Sequence, residues 1–123
     1  MKAAEQEGIR IENQQWRLVR MTGSFINSET TGADMAWQEV YTLTESGDFT
    51  KERQEDGATI TAIGSYQIVD LSDGPYFEFT YSESSEIIGN CTGDLKELLS
   101  FRNNALFGTW LACDGPGLEY QRD

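Results

Sequence analysis

The chain has 123 residues, enough for one domain with one hydrophobic core and too few for two. Its twenty-one Asp and Glu against nine Lys and Arg give a formal charge of −12, a field that repels phosphate backbones and anionic lipid, so nucleic acid and membrane surfaces are excluded as expected partners. It has no His, which removes the commonest general base, the commonest metal ligand and the usual proximal haem ligand; neither a metal nor a cofactor is expected.

Residues 1–13 are polar, with apolar periodicity limited to Ile9 and Ile11, and read as a flexible leader ahead of a domain spanning residues 14–123. The leader has no apolar core of signal-peptide type, and no stretch has the length of a membrane span, whereas the remnant of a lipid tether upstream is compatible with it. The first strand is expected over 15–21, with Trp16 and Leu18 on one face and Arg17 on the other. Residues 22–36, rich in Gly, Ser, Asn and Thr, form the longest segment without a period and are a candidate functional loop.

Residues 37–43 alternate Trp37, Glu39, Tyr41 and Leu43 against Gln38, Val40 and Thr42, and the turn at 44–47 leads into a strand over 48–53. A second turn at 55–57 precedes the long run 58–70, in which Ile60, Ala62, Gly64, Tyr66 and Ile68 face one way and Gly64 marks a bend or bulge. The segment 70–74 has a faint look of a calcium loop, but it lacks the further ligands and closing Glu, and reads as a turn. Residues 76–81 set Phe77, Phe79 and Tyr81 against Tyr76, Glu78 and Thr80. Strands over 86–92, 95–102, 105–113 and 118–122 complete the series, with Asn103 and Asn104 as a two-residue turn and 114–117 as the last reversal; 95–99 is alternatively one helical turn.

Eight or nine short strands joined in order by tight turns predict an all-β fold with little helix: a single antiparallel up-and-down eight-stranded barrel, with a two-sheet sandwich as the rival. Cys91 and Cys113 lie outside any Cys-x-x-Cys pair and have acidic neighbours in Asp94 and Asp114, so an inert disulfide is expected, with buried free thiols as the alternative in a reducing compartment. Glu39 shares its face with Trp37 and Tyr41 and is the one carboxylate nominated for a pocket, the alternative being a rim position paired with a cation or facing water. With no second group to accompany it, no catalytic residue is assigned and an enzyme is not expected. Trp37, Tyr41, Tyr66, Phe77, Phe79, Tyr81 and Trp110 occupy positions that can point inward, either filling the barrel or lining a cavity.

The Trp on the first strand, the opening Gly47-Asp48-Phe49-Thr50 and the ending Asp114-Gly115-Pro116-Gly117-Leu118-Glu119-Tyr120-Gln121-Arg122 resemble bacterial lipocalin-like domains, small barrels of calycin type, over most of residues 15–122. The chain departs from the lipocalin signature Gly-x-Trp because Gln14 stands at the Gly position. The resemblance implies a barrel closed at one end by Trp16 with Arg122 stacked over it, and residues 22–36 as a lid at the open mouth, bringing Phe25, Ile26 and Met35 to a ligand.

The resulting expectation is a non-enzymatic, extracytoplasmic (periplasmic, cell-surface or secreted) domain that binds a small apolar ligand through Phe25, Met35, Trp37, Tyr41, Tyr66, Phe77, Phe79 and Trp110. The alternative is a cell-envelope protein-interaction module or a barrel resembling a periplasmic protease inhibitor.

Overall fold

Turn chemistry sets the chain reversals. Asn103 and Asn104 take φ values of 53° and 60°, and Asp56 and Gly57 take 53° and 80°, the left-handed pairs that let two-residue turns match the twist of the strands they join. Between the turns, alternation of apolar and polar residues puts one face of each strand inward. A computed structural model describes residues 10–23, 29–113 and 115–123.

The strands are β1 Gln14–Thr22, β2 Thr30–Thr31, β3 Gln38–Leu43, β4 Asp48–Glu55, β5 Ala58–Leu71, β6 Gly74–Tyr81, β7 Lys96–Arg102, β8 Ala105–Gly108 and β9 Gly117–Arg122. Single 3-10 turns lie at Gly32–Asp34 and Trp110–Cys113. From β3 to β9 each strand pairs antiparallel with the next, and β9 returns to β1, which itself pairs β3, closing an eight-stranded barrel. β2 is an appendage: β3 pairs with the first half of β1, from Gln14 to Arg17, and β2 takes the same edge higher up, opposite Arg20 and Met21. Among the described residues no helix is long and apolar enough to cross a membrane.

The expected inward sets hold. Trp16 and Leu18, then Tyr41 and Leu43, then Phe77, Phe79 and Tyr81 are all buried. Three local expectations are corrected. Gly64 is not a bulge: it pairs in register with both Phe49 and Tyr81. Its lack of a side chain serves close approach instead, since a Cβ there would stand 2.0 Å from the Thr80 carbonyl oxygen and 2.8 Å from the Phe49 ring. The register shift lies in β1, between Leu18 and Arg20 against β9, and it moves the inward positions from even (Trp16, Leu18) to odd (Met21).

Residues 86–92 form no strand. They belong to an irregular connection between β6 and β7 in which Gly89 and Asn90 interrupt the β-branched run, Ile87 is fully buried and Ile88 packs against the core cluster. The segment 105–113 is a strand only as far as Gly108; Trp110 lies in the following 3-10 turn, not on a strand. Cys91 and Cys113 are joined, with Cα atoms 5.7 Å apart, which fastens the β6–β7 connection to that turn. The ring of Trp110 lies flush on two glycines: a Cβ would come within 3.1 Å of it at Gly89 and 2.2 Å at Gly115.

Candidate functional site: the barrel interior and its upper mouth

The antiparallel order defines two ends. The lower end gathers residues 10–13 and the turns at 44–47, 72–73 and 103–104; the upper end gathers residues 23 and 29–37, the β4–β5 turn, residues 82–95 and residues 109–113 and 115–116.

The lower half is aromatic. Trp16 meets Phe77 and Phe101 edge-on at 6.1 and 6.2 Å between ring centroids, and Tyr66 stacks on Phe77 at 5.9 Å. Polar tips find partners at the rim: Trp16 Nε1 donates to Gln14 Oε1 at 2.8 Å, and Tyr66 Oη donates to the Thr44 carbonyl at 2.9 Å. Gln14, standing at the signature's Gly position, thus satisfies the indole of the strand's own Trp. Above this layer Tyr41 stacks on Phe79 at 4.7 Å, and Phe49 closes edge-on against Phe79 and Tyr81. Tyr41, Phe77 and Phe79 are 0% exposed, so no space the size of a water molecule opens onto them.

The upper half carries charge. β3, β4 and β7 each turn ionisable side chains inward: Glu39, Lys51 with Arg53, and Glu97, all buried. Glu97 is saturated with donors. Its Oε1 accepts from Tyr41 Oη at 2.6 Å and Tyr81 Oη at 2.7 Å; its Oε2 accepts from the Gly89 amide at 2.6 Å and Lys51 Nζ at 3.1 Å. Lys51 also donates to the Ile87 carbonyl at 2.7 Å and lies 3.7 Å from Glu39 Oε1. Glu39 in turn accepts from Tyr120 Oη and from Arg53 Nε, the latter at 2.7 Å.

Two carboxylates and two cations therefore balance inside the barrel, which is the condition for burying charge without a large desolvation loss. Burial, reinforced by Glu97 for Tyr41 and Tyr81 and by Glu39 for Tyr120, pushes all three phenols well above the ordinary tyrosine value. Each phenol is a hydrogen-bond donor at neutral pH.

The network also anchors the upper end, because Lys51 and Glu97 hold the 82–95 connection through the Ile87 carbonyl and the Gly89 amide. Where it reaches the mouth it is incomplete. The Arg53 guanidinium lies over the Trp37 ring, 3.9 Å from its centroid, with Nη1 3.9 Å from Glu55 Oε1. Arg53 Nη2 and Trp37 Nε1 are both buried, and among the described residues no acceptor reaches either.

Of the residues expected to touch a ligand, Tyr41, Tyr66, Phe77 and Phe79 pack in the core, while Trp37 and Trp110 are partly buried against its upper side and Met35 is buried there. Phe25 and Ile26 lie outside the described residues. Arg122 stands in register opposite Trp16, but its guanidinium pairs Glu12 at 2.9 Å. Among the described residues the cation–π pairs are Lys51 with Tyr41, Arg53 with Trp37 and Arg102 with Phe107, so the expected Arg122 stack on Trp16 is not formed. Glu39 does face inward beside Trp37 and Tyr41, and it is paired with Arg53 rather than with water.

Lys51, Arg53, Glu97 and Tyr120 were missed by sequence reasoning. Phe49 facing inward carries Lys51 and Arg53 with it at a spacing of two, and Leu99 carries Glu97 in the same way; that parity was the available signal. One surface hollow of about 460 Å³ lies on the outer face over β1, β3 and β4, between Arg17, Gln38, Thr42 and Glu52. Among the described residues no group of three or more Cys, Asp and Glu is placed to hold a metal ion. Compared with protein-family models, with curated proteins and with solved structures, the chain matches none.

Proposed function

We propose that the chain is a non-enzymatic, lipocalin-like binding barrel that holds a small, mostly apolar molecule at its upper mouth, over Met35, Trp37 and Trp110, rather than among the interior rings. The observation that carries this reading is the contrast between the two regions. Below, Tyr41, Phe77 and Phe79 present no surface to solvent, and among the described residues the buried acid and base groups, Glu39, Lys51, Arg53 and Glu97, are occupied by one another and by tyrosines. Above, large apolar side chains remain only partly covered beside polar groups, the combination that small-molecule sites use. The Cys91–Cys113 bond supports an oxidising, extracytoplasmic setting.

Titration with the neutral apolar dye N-phenyl-1-naphthylamine tests the reading. Saturable binding at a single site, weakened by Trp37→Ala, is the expected result. Absence of saturable binding by a folded, disulfide-intact chain overturns it and leaves the protein-interaction module, which the filled interior and the clamped upper connections also favour.

A further inference from the structure

We infer that the upper mouth recognises a neutral oxygen acceptor, a carbonyl or hydroxyl on an otherwise apolar molecule, through two donors that the fold leaves open, Trp37 Nε1 and Arg53 Nη2; this rests on the binding reading above and names the chemistry of the ligand's polar end.

Buried donors are ordinarily paired, and each exception calls for a physical reason. Here two exceptions sit together, since the Arg53 guanidinium lies over the Trp37 ring, 3.9 Å from its centroid. Among the described residues the fully buried indole of Trp16 and the Lys51 ammonium are satisfied within the chain. Trp16 Nε1 has Gln14, Lys51 has Ile87 and Glu97, and Arg53 itself uses Nε on Glu39. The opening is therefore confined to one spot, on the rim of the apolar mouth. Arg53 is held in place there by the Glu39 ion pair and by the face of the indole, so its remaining N–H groups are fixed rather than free to turn to solvent; the residue is 6% exposed.

The charge balance selects the class of acceptor. Lys51 and Arg53 are already matched by Glu39 and Glu97, and Glu55 stands 3.9 Å from Arg53 Nη1. A carboxylate guest would add an unmatched negative charge beside Glu39 and Glu55 in a chain of formal charge −12, whereas a carbonyl or hydroxyl oxygen satisfies the same donors at no charge. The two donors are of unlike kinds, an indole and a guanidinium, and a carbonyl or hydroxyl oxygen can accept from either.

Three probes with one bicyclic body separate the possibilities: 2-ethylnaphthalene without an acceptor, 2-acetonaphthone with a neutral one, and 2-naphthoate with an anionic one. Affinities are measured by calorimetry on the disulfide-intact chain, and the indole N–H resonances are followed by ¹⁵N–¹H spectroscopy, with Trp37→Phe identifying the Trp37 signal. The expected result is a preference for 2-acetonaphthone over 2-ethylnaphthalene on the order of tenfold, the effect of one net hydrogen bond. The Trp37 resonance moves with 2-acetonaphthone and not with 2-ethylnaphthalene, and the preference shrinks toward unity in Trp37→Phe and in Arg53→Lys, which keeps the charge on Glu39 and removes Nη2. Equal binding of the two neutral probes with an unmoved Trp37 resonance overturns the inference and leaves the binding reading standing. Tighter binding of 2-naphthoate overturns the neutral class. If none of the three binds, the binding reading fails and the inference fails with it.

Discussion

Replacing Glu97 by Gln removes one charge from the interior and keeps the side chain's size. In the folded protein Glu97 takes four donors, from Tyr41, Tyr81, Lys51 and the Gly89 amide, at distances between 2.6 and 3.1 Å. The amide retains one acceptor oxygen and presents a donor where an acceptor stood, against Lys51 or Gly89. Lys51, whose side chain is 0% exposed, is left with the Ile87 carbonyl and with Glu39 at 3.7 Å, and Glu39 is already engaged by Arg53. Removing one partner of a buried pair in this way costs about 3–5 kcal/mol, a large part of the roughly 5–15 kcal/mol of a domain's total stability. Lys51→Met is expected to cost a similar amount, because it leaves two carboxylates against Arg53 alone. The double variant removes both charges and retains an oxygen for the tyrosines, so its cost falls short of the sum by at least about 2 kcal/mol. Urea unfolding of the four proteins with the disulfide intact gives the cycle. Single variants each costing less than about 1 kcal/mol, or strict additivity, would refute the reasoning that the interior charges hold one another.

Further outcomes follow from other parts of the barrel. Because burial raises Tyr41, Tyr81 and Tyr120, the folded state holds three phenolic protons more tightly than the unfolded chain, whose tyrosines titrate near pH 10. Stability is therefore intact below pH about 10 and declines as the pH rises above it, and phenolate absorbance for these residues emerges together with loss of the native circular dichroism; phenolate appearing in a still-folded chain contradicts this. Gly64→Ala places a Cβ 2.0 Å from the Thr80 carbonyl oxygen, a backbone atom that cannot swing aside, and is expected to destabilise by about 2 kcal/mol or more in the same urea assay. Paired Cys91→Ser and Cys113→Ser substitutions open a cross-link with a sequence separation of 22 and are expected to cost about 3 kcal/mol, with faster amide exchange in residues 82–95 than in β3 or β6.

The barrel was legible because alternation is a strong signal wherever one face of a strand is apolar. Residues 37–43 and 76–81 show it, and the two-residue turn at Asn103 and Asn104 joins β7 and β8 as expected. Residues 86–92 misled for a physical reason: Ile87 and Ile88 favour a strand locally, but what fixes the segment is distant, a Lys51 ammonium on the Ile87 carbonyl, Glu97 on the Gly89 amide and the bond from Cys91 to Cys113. The same distance hid the charge network. Glu39 was visible because it sits between Trp37 and Tyr41, whereas Lys51 and Arg53 sit in Asp48–Glu55, a charged strand, where cations ordinarily face water. Their burial becomes reasonable only when the closed barrel brings Glu39 and Glu97 across to them. Trp37 was singled out for its ring, and its unpaired indole nitrogen depends on a guanidinium from the neighbouring strand that alternation alone does not place.

The central claim is that this barrel is filled and binds at its mouth. Mapping the backbone and methyl chemical-shift changes caused by N-phenyl-1-naphthylamine tests it most directly. Changes confined to Met35, Trp37, Trp110 and their immediate neighbours are predicted; changes centred on Leu99 and on the backbones of Phe77 and Phe79 would place the molecule among the interior rings and contradict the account.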